Sequence, residues 1–129
     1  MSFLMLDTDI SSYIIKKRPA SLLERFEKHA ERLCVITAAE LQFGAEKAGR
    51  PALTALVQDY LERVAVLYWT QGVVAHYARI RTALEKNGKP IGNMDLLIAS
   101  HAVSEGYVVV TNNVKHFSQV PDLKVELWQ

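Results

Sequence analysis

Four apolar runs of four or five residues, at 3–6, 33–36, 64–68 and 107–110, punctuate the sequence, and helix-type spacing fills the stretches between them. Runs this short and continuous suit strands buried on both faces. Strands separated by helical stretches are joined by crossovers, which makes their sheet mainly parallel. The expected fold class is therefore α/β, a mainly parallel sheet flanked by helices. In such folds the chemistry sits beyond the carboxyl ends of the strands.

The helices are read from apolar spacing and from breakers. Asp9 is placed as the N-cap of a short helix carrying Ile10, Tyr13 and Ile14. Pro19 and Ser21 open a second helix, with Leu22, Leu23 and Phe26 on one side. Thr37 ends the second strand and starts a helix that stops near Gly49 and Pro51. Leu53, Leu56, Val57, Tyr60, Leu61 and Val64 form the clearest helical stripe. Thr70 caps a helix with Val73, Tyr77, Ile80 and Leu84 on its buried side, ended by Asn87 and Gly88. Asn93 caps another helix, which runs to Glu105 and stops at Gly106. A helical turn holds Phe117, and residues 123–128 form an edge strand.

A chain of 129 residues fits one domain, 1–129. Fifteen basic and fourteen acidic residues leave a net charge of +1, which excludes a strongly basic nucleic-acid binder. Local patches remain open to RNA. The single Cys34 excludes an intrachain disulfide framework and a multi-cysteine zinc site, and fits a reducing cytosol. No apolar run is long enough for a membrane span. The opening MSFLMLDTD has neither the basic start nor the cleavage site of a signal peptide. A cytoplasmic location is expected.

Three carboxylates fall where the chemistry is expected. Asp7 follows the first strand directly, Glu40 lies in the first turn after the second, and Asp95 lies in the first turn after the Lys89-Pro90-Ile91-Gly92 loop. Thr111, Asn112 and Asn113 follow the fourth strand. Taken singly, Glu40 has capping-box spacing from Thr37, and Asp95 favours the positive end of its helix. Asp7 resists so simple an account, because an acid abutting four apolar strand residues is poorly solvated without a partner. Acids converging on one rim repel and raise one another's pKa values. A divalent cation removes that cost, and oxygen-only ligation suits Mg²⁺, or Mn²⁺ as a substitute. The chemistry this favours is metal-assisted phosphodiester hydrolysis.

The segments MLDTDI, TAAELQFGAEK, IRTALEKNGKPIGNMDLLIASHA and VVVTNNVKHF, in that order, resemble PIN-domain ribonucleases, and closely the VapC toxins of bacterial toxin–antitoxin pairs. The G-x-P-I-G-x-x-D-x-x-I-A string is the most specific of them, and the likeness covers nearly the whole chain. It implies a three-layer PIN-like fold and an Mg²⁺-dependent endoribonuclease. Asp7 and Asp95 match metal-ligating acids, and Glu40 matches the second acid of the catalytic set. A fourth acid is frequent where this chain has Asn113, and another where it has His116. These departures imply one tightly held ion. Asp9 stands where asparagine is common and adds an acid beside Asp7. Thr111, Asn113, His116 and Asp9 are auxiliary candidates. The likeness further implies a VapB-type antitoxin, a homodimer and tRNA as substrate, with the anticodon arm of initiator tRNA as a lead.

Lys16, Lys17, Arg18, Lys89 and Lys115 read first as solvated charges and second as RNA phosphate contacts. His29 and His76 read as helix-surface residues, and His101 as pointing away from Asp95. Tyr13, Phe43, Tyr60 and Tyr77 read as core or interface residues. Three alternatives compete with the nuclease. A catalytically inactive PIN-fold binding protein is suggested by Asn113 and His116. A haloacid-dehalogenase-type phosphatase is suggested by Asp7-Thr8-Asp9, but lacks its later G-D-x-x-x-D element. A phospho-receiver domain lacks the adjacent acid pair after strand one.

Overall fold

Every one of the apolar runs contributes a strand only three residues long, and all the strands lie parallel. The computed structural model describes residues 3–28 and 32–128; His29 lies outside them, as do the side chains of Leu22 and Phe26. Along the chain come β1 (Leu4–Leu6), α1 (Thr8–Lys17), α2 (Ala20–Lys28), β2 (Arg32–Cys34), α3 (Val35–Ala48), α4 (Pro51–Arg63) and β3 (Ala65–Leu67). A 3-10 turn, Gln71–Val73, leads into α5 (Val74–Lys86). There follow α6 (Asn93–Glu105), β4 (Val108–Val110), α7 (Val114–Phe117) and β5 (Lys124–Glu126).

The sheet order is β3-β2-β1-β4-β5, so the expected edge strand is present as β5. Leu4, Met5 and Leu6 pair with Val108, Val109 and Val110 in register. Alternation along a strand sends neighbouring side chains to opposite faces. Leu6, Leu33 and Val110 join Ile10, Ile14, Leu41, Val57 and Tyr60 on one face, under α1, α3 and α4. Met5, Cys34 and Val109 join Ile80, Ile98 and Phe117 on the other, against α5, α6 and α7. The molecule is thus the expected three-layer α/β structure. Trp128 is buried in the first cluster, with the Arg25 guanidinium 5.4 Å from its ring.

Three of the expected caps are different. Asp7, not Asp9, is the N-cap of α1. The second apolar run turns helical halfway: β2 stops at Cys34, which caps α3, so Thr37 lies inside the helix and no capping box joins it to Glu40. Gly92, not Asn93, precedes the first residue of α6. Thr70 does stand before the 3-10 turn, but its side chain makes no capping bond. The stop signals hold as read: Gly49, Gly88 and Gly106 take φ of +64°, +66° and +74°, values that a side chain would strain.

Candidate active site

The crossovers run from β1 outward through β2 to β3, and then jump back across to β4 and β5. The order therefore reverses between β1 and β4, and the crevice at such a reversal is where open α/β sheets bind ligands. Asp7 leaves β1 at this point, and Thr111 leaves β4 beside it. The Asp7 N–H still donates to the Val110 carbonyl, 3.0 Å away, as a last rung of the ladder.

Asp7 is 1% exposed. Its Oδ1 accepts the Ile10 N–H at 2.8 Å, the capping bond of α1. Its Oδ2 accepts the Thr111 hydroxyl at 2.5 Å. Thr111 is fully buried and in turn accepts the Asn113 N–H at 2.9 Å. Burial pushes the Asp7 carboxyl up to about 7, the carboxylates of Asp9 and Asp95 push the same way, and the Thr111 and Ile10 bonds oppose.

Asp95 sits in the first turn of α6, as its spacing indicated. Its Oδ2 lies 3.0 Å from His116 Nε2. Burial raises its pKa above the usual carboxylate value, His116 opposes, and Asp9 adds to the rise. Asp9 is exposed, in the first turn of α1, and acts electrostatically on both of the other acids. Glu40 lies in the second turn of α3, one turn further along than its spacing from the apolar run suggested. Its Oε1 accepts the Thr8 hydroxyl at 2.6 Å. Thr8 directly follows Asp7, so one short segment touches both acids. Sequence reasoning overlooked Thr8; its only signal was a hydroxyl set between two aspartates.

The other candidates separate. Asn113 precedes α7 with an exposed side chain that makes no capping bond. Lys16, Lys17 and Arg18 are exposed at the far end of α1, about 15 Å of helix from Asp7. Lys16 lines a groove shared with Thr8, Ser12 and Glu40. Lys89 and Lys115 are exposed near the starts of α6 and α7. His76 bonds Arg79 on the α5 surface, whereas His101 is buried, with Nδ1 unpartnered. Tyr60 is a core residue, its hydroxyl donating to Ser11 at 2.8 Å, but Phe43 is 65% exposed and outside the core.

A cation suits this arrangement through its donors and charge. The charges of Asp9 and Asp95 disfavour ionised Asp7, that of Asp9 disfavours ionised Asp95, and the carboxylate donors are all oxygens. Among the described residues, no three His, Cys, Asp or Glu form a ready-made metal cage. An Mg²⁺ ion held here would rest on one or two carboxylates and its own waters.

The PIN domain model matches residues 4–123. A curated relative, Ribonuclease VapC2 of Haemophilus influenzae, is 44% identical over 127 residues, covering 96% of each chain. The tRNA(fMet)-specific endonuclease VapC of Shigella flexneri is 39% identical over 127 residues, with the same coverage. Among solved structures, VapBC from Salmonella typhimurium, bound to DNA, superposes with a TM-score of 0.93 at 36% identity over all of both chains. VapBC2 from Rickettsia felis, bound to a promoter DNA fragment, gives 0.93 at 35% identity, covering 98% of this chain and 99% of that one. The phosphatase and receiver alternatives fall away with these matches. An acid buried at the β1/β4 reversal, a second acid opening α6 and a likeness spanning nearly the full length agree: the chain belongs to the PIN-domain family and, within it, to the VapC ribonucleases.

Proposed function

We propose that this chain, acting as a single PIN domain, is a metal-dependent endoribonuclease toxin restrained by a VapB-type antitoxin. The observation that carries the reading is the pairing of Asp7, buried at the sheet reversal, with Asp95 across the rim. Both carboxylates are held in place by hydrogen bonds and disfavoured as anions, so each gains from positive charge. Asp7 and Asp95 would hold Mg²⁺, or Mn²⁺, which when bound supplies Lewis acidity to a phosphodiester.

The chain's own residues do the rest. Thr111 and the Ile10 N–H keep Asp7 in one orientation. Glu40, fixed through Oε1 by Thr8, orients the attacking water and takes its proton. Lys16, in the groove beside Glu40, meets an RNA phosphate; Lys17, Arg18, Lys89 and Lys115 contribute only to the outer field. The substrate class is tRNA. The names of relatives in Shigella and Salmonella make initiator tRNA the first to test; its anticodon arm, which the family resemblance implies, is the first region to map for cleavage.

The antitoxin assignment is supported by neighbours solved as VapBC complexes. A cytoplasmic location belongs to the same reading; no described helix is long and apolar enough to cross a membrane. A homodimer is part of the same reading. Asn113 and His116 at two acid positions keep one competing reading in view, an inactive PIN-fold binding protein.

One experiment separates the two. Purified protein is incubated with total tRNA and Mg²⁺, with and without excess chelator, and RNA ends are mapped after brief expression in cells. New ends that need Mg²⁺ and vanish with chelator are expected, without a zinc requirement. Cleavage persisting in excess chelator removes the metal mechanism. No cleavage of any tRNA, with binding retained, favours the inactive reading.

A further inference from the structure

Asp7, Glu40 and Asp95 each meet one side-chain donor, and two of these are the hydroxyls of Thr111 and Thr8. The third is an imidazole. His116 belongs to α7, a four-residue helix after β4, and reaches across to the first turn of α6. Its Nε2 lies 3.0 Å from Asp95 Oδ2. When Asp95 is ionised, as a metal ligand must be, its carboxylate has no hydrogen to give, and Nε2–H is then the donor. The ring stands edge-on to Phe117, centroids 5.5 Å apart and planes at 87°. Phe117 is itself 1% exposed, so the imidazole is braced by the core. Among the described residues, nothing donates to Oδ1 of Asp95. The imidazole thus occupies one carboxylate oxygen and leaves the other available.

We infer that His116 is a positioning residue, a braced donor that fixes the Asp95 carboxylate for a divalent cation. This rests on the metal-dependent reading above. A partner that orients a ligating group is commonly worth 10–100-fold in metal affinity. The role needs no charge on the imidazole, only its N–H. A side chain retaining a donor should therefore retain much of the effect, and a ring lacking one should not.

The test is Mn²⁺ binding by isothermal titration calorimetry on the full chain without RNA, alongside thermal melting in chelator. His116→Phe keeps a ring beside Phe117 but loses the donor; affinity should fall about 10–100-fold. His116→Gln keeps an N–H donor and should stay within a few-fold of wild type. Cleavage by His116→Phe should recover at high Mn²⁺, because a weakened site can be refilled. Wild-type Mn²⁺ affinity in folded His116→Phe overturns the proposal. If that variant fails to fold, His116→Gln decides: an affinity loss beyond tenfold in the folded protein overturns it. Asp95→Asn distinguishes the levels. Loss of binding there, with His116→Phe unchanged, defeats only the positioning role, whereas wild-type binding by Asp95→Asn defeats the metal reading itself.

Discussion

Thr111 gives its hydroxyl hydrogen to Oδ2 of Asp7 over 2.5 Å, although 104 positions of sequence separate the two residues. The bond is possible because β1 and β4 are neighbours in register, Leu6 beside Val110, so that both chains leave the sheet side by side. It satisfies a buried carboxylate that would otherwise face apolar surroundings. Replacing Thr111 with Val keeps the shape and removes the donor. The folded protein should lose roughly 1–3 kcal/mol at neutral pH, measured by denaturant titration. Asp7 should become harder to ionise, and cleavage should need a higher Mg²⁺ concentration.

Asp7 makes the metal-free protein sensitive to pH in a defined direction. Its carboxyl titrates near 3.8 when unfolded and about 7 when folded, so between these values the folded state holds the extra proton. This group's stabilising contribution is full below about 4 and is lost as pH rises through about 7. Asp7→Asn lacks the titration; its amide oxygen can keep the Ile10 N–H bond, and its amide NH₂ can donate to the Thr111 hydroxyl in place of the bond Asp7 accepts. Its melting temperature should exceed that of wild type by a margin that grows from pH 5 to pH 8, in chelator. Its RNA cleavage should be lost. A margin that does not change with pH removes this account of Asp7.

Glu40 is not a cap in this structure, so its replacement tests chemistry rather than helix stability. Glu40→Gln can still accept from Thr8, and its melting temperature should barely move. Cleavage should fall about 10²–10⁴-fold if Glu40 takes a proton from the attacking water. Thr8→Val, which releases Glu40 without altering it, should give a smaller loss. Near-wild-type cleavage by Glu40→Gln would exclude it from the catalytic set.

Asp95 carries two opposed effects. Its charge favours the N-terminus of α6 by roughly 0.3–1 kcal/mol, while burial and Asp9 disfavour that charge. Asp95→Asn should therefore change stability little in thermal melts. Cleavage should drop by orders of magnitude, and growth inhibition on expression should vanish with it. A folded Asp95→Asn protein that cuts RNA at the wild-type rate would show that the chemistry lies elsewhere.

The elements with local causes are legible in the amino-acid order alone. Short apolar runs marked the strands, the stripe from Leu53 to Val64 marked α4, and Gly49, Gly88 and Gly106 marked helix ends through their positive φ. The order of strands and helices then placed Asp7 and Asp95 on one rim, and the four motif segments carried the family. The second apolar run shows where local reading stops. Val35 and Ile36 continue it but are helical, because an apolar stretch without period does not distinguish strand from helix. That shift moved Thr37 off the cap and turned Glu40 toward Thr8. Long-range packing sets which hydroxyl meets Asp7, that His116 meets Asp95, and that Lys17 and Arg18 lie at the far end of α1 from Asp7. Such pairings depend on β4 lying beside β1 and α7 folding against α6. They arise from packing between distant segments, for which neither periodicity nor spacing carries a signal.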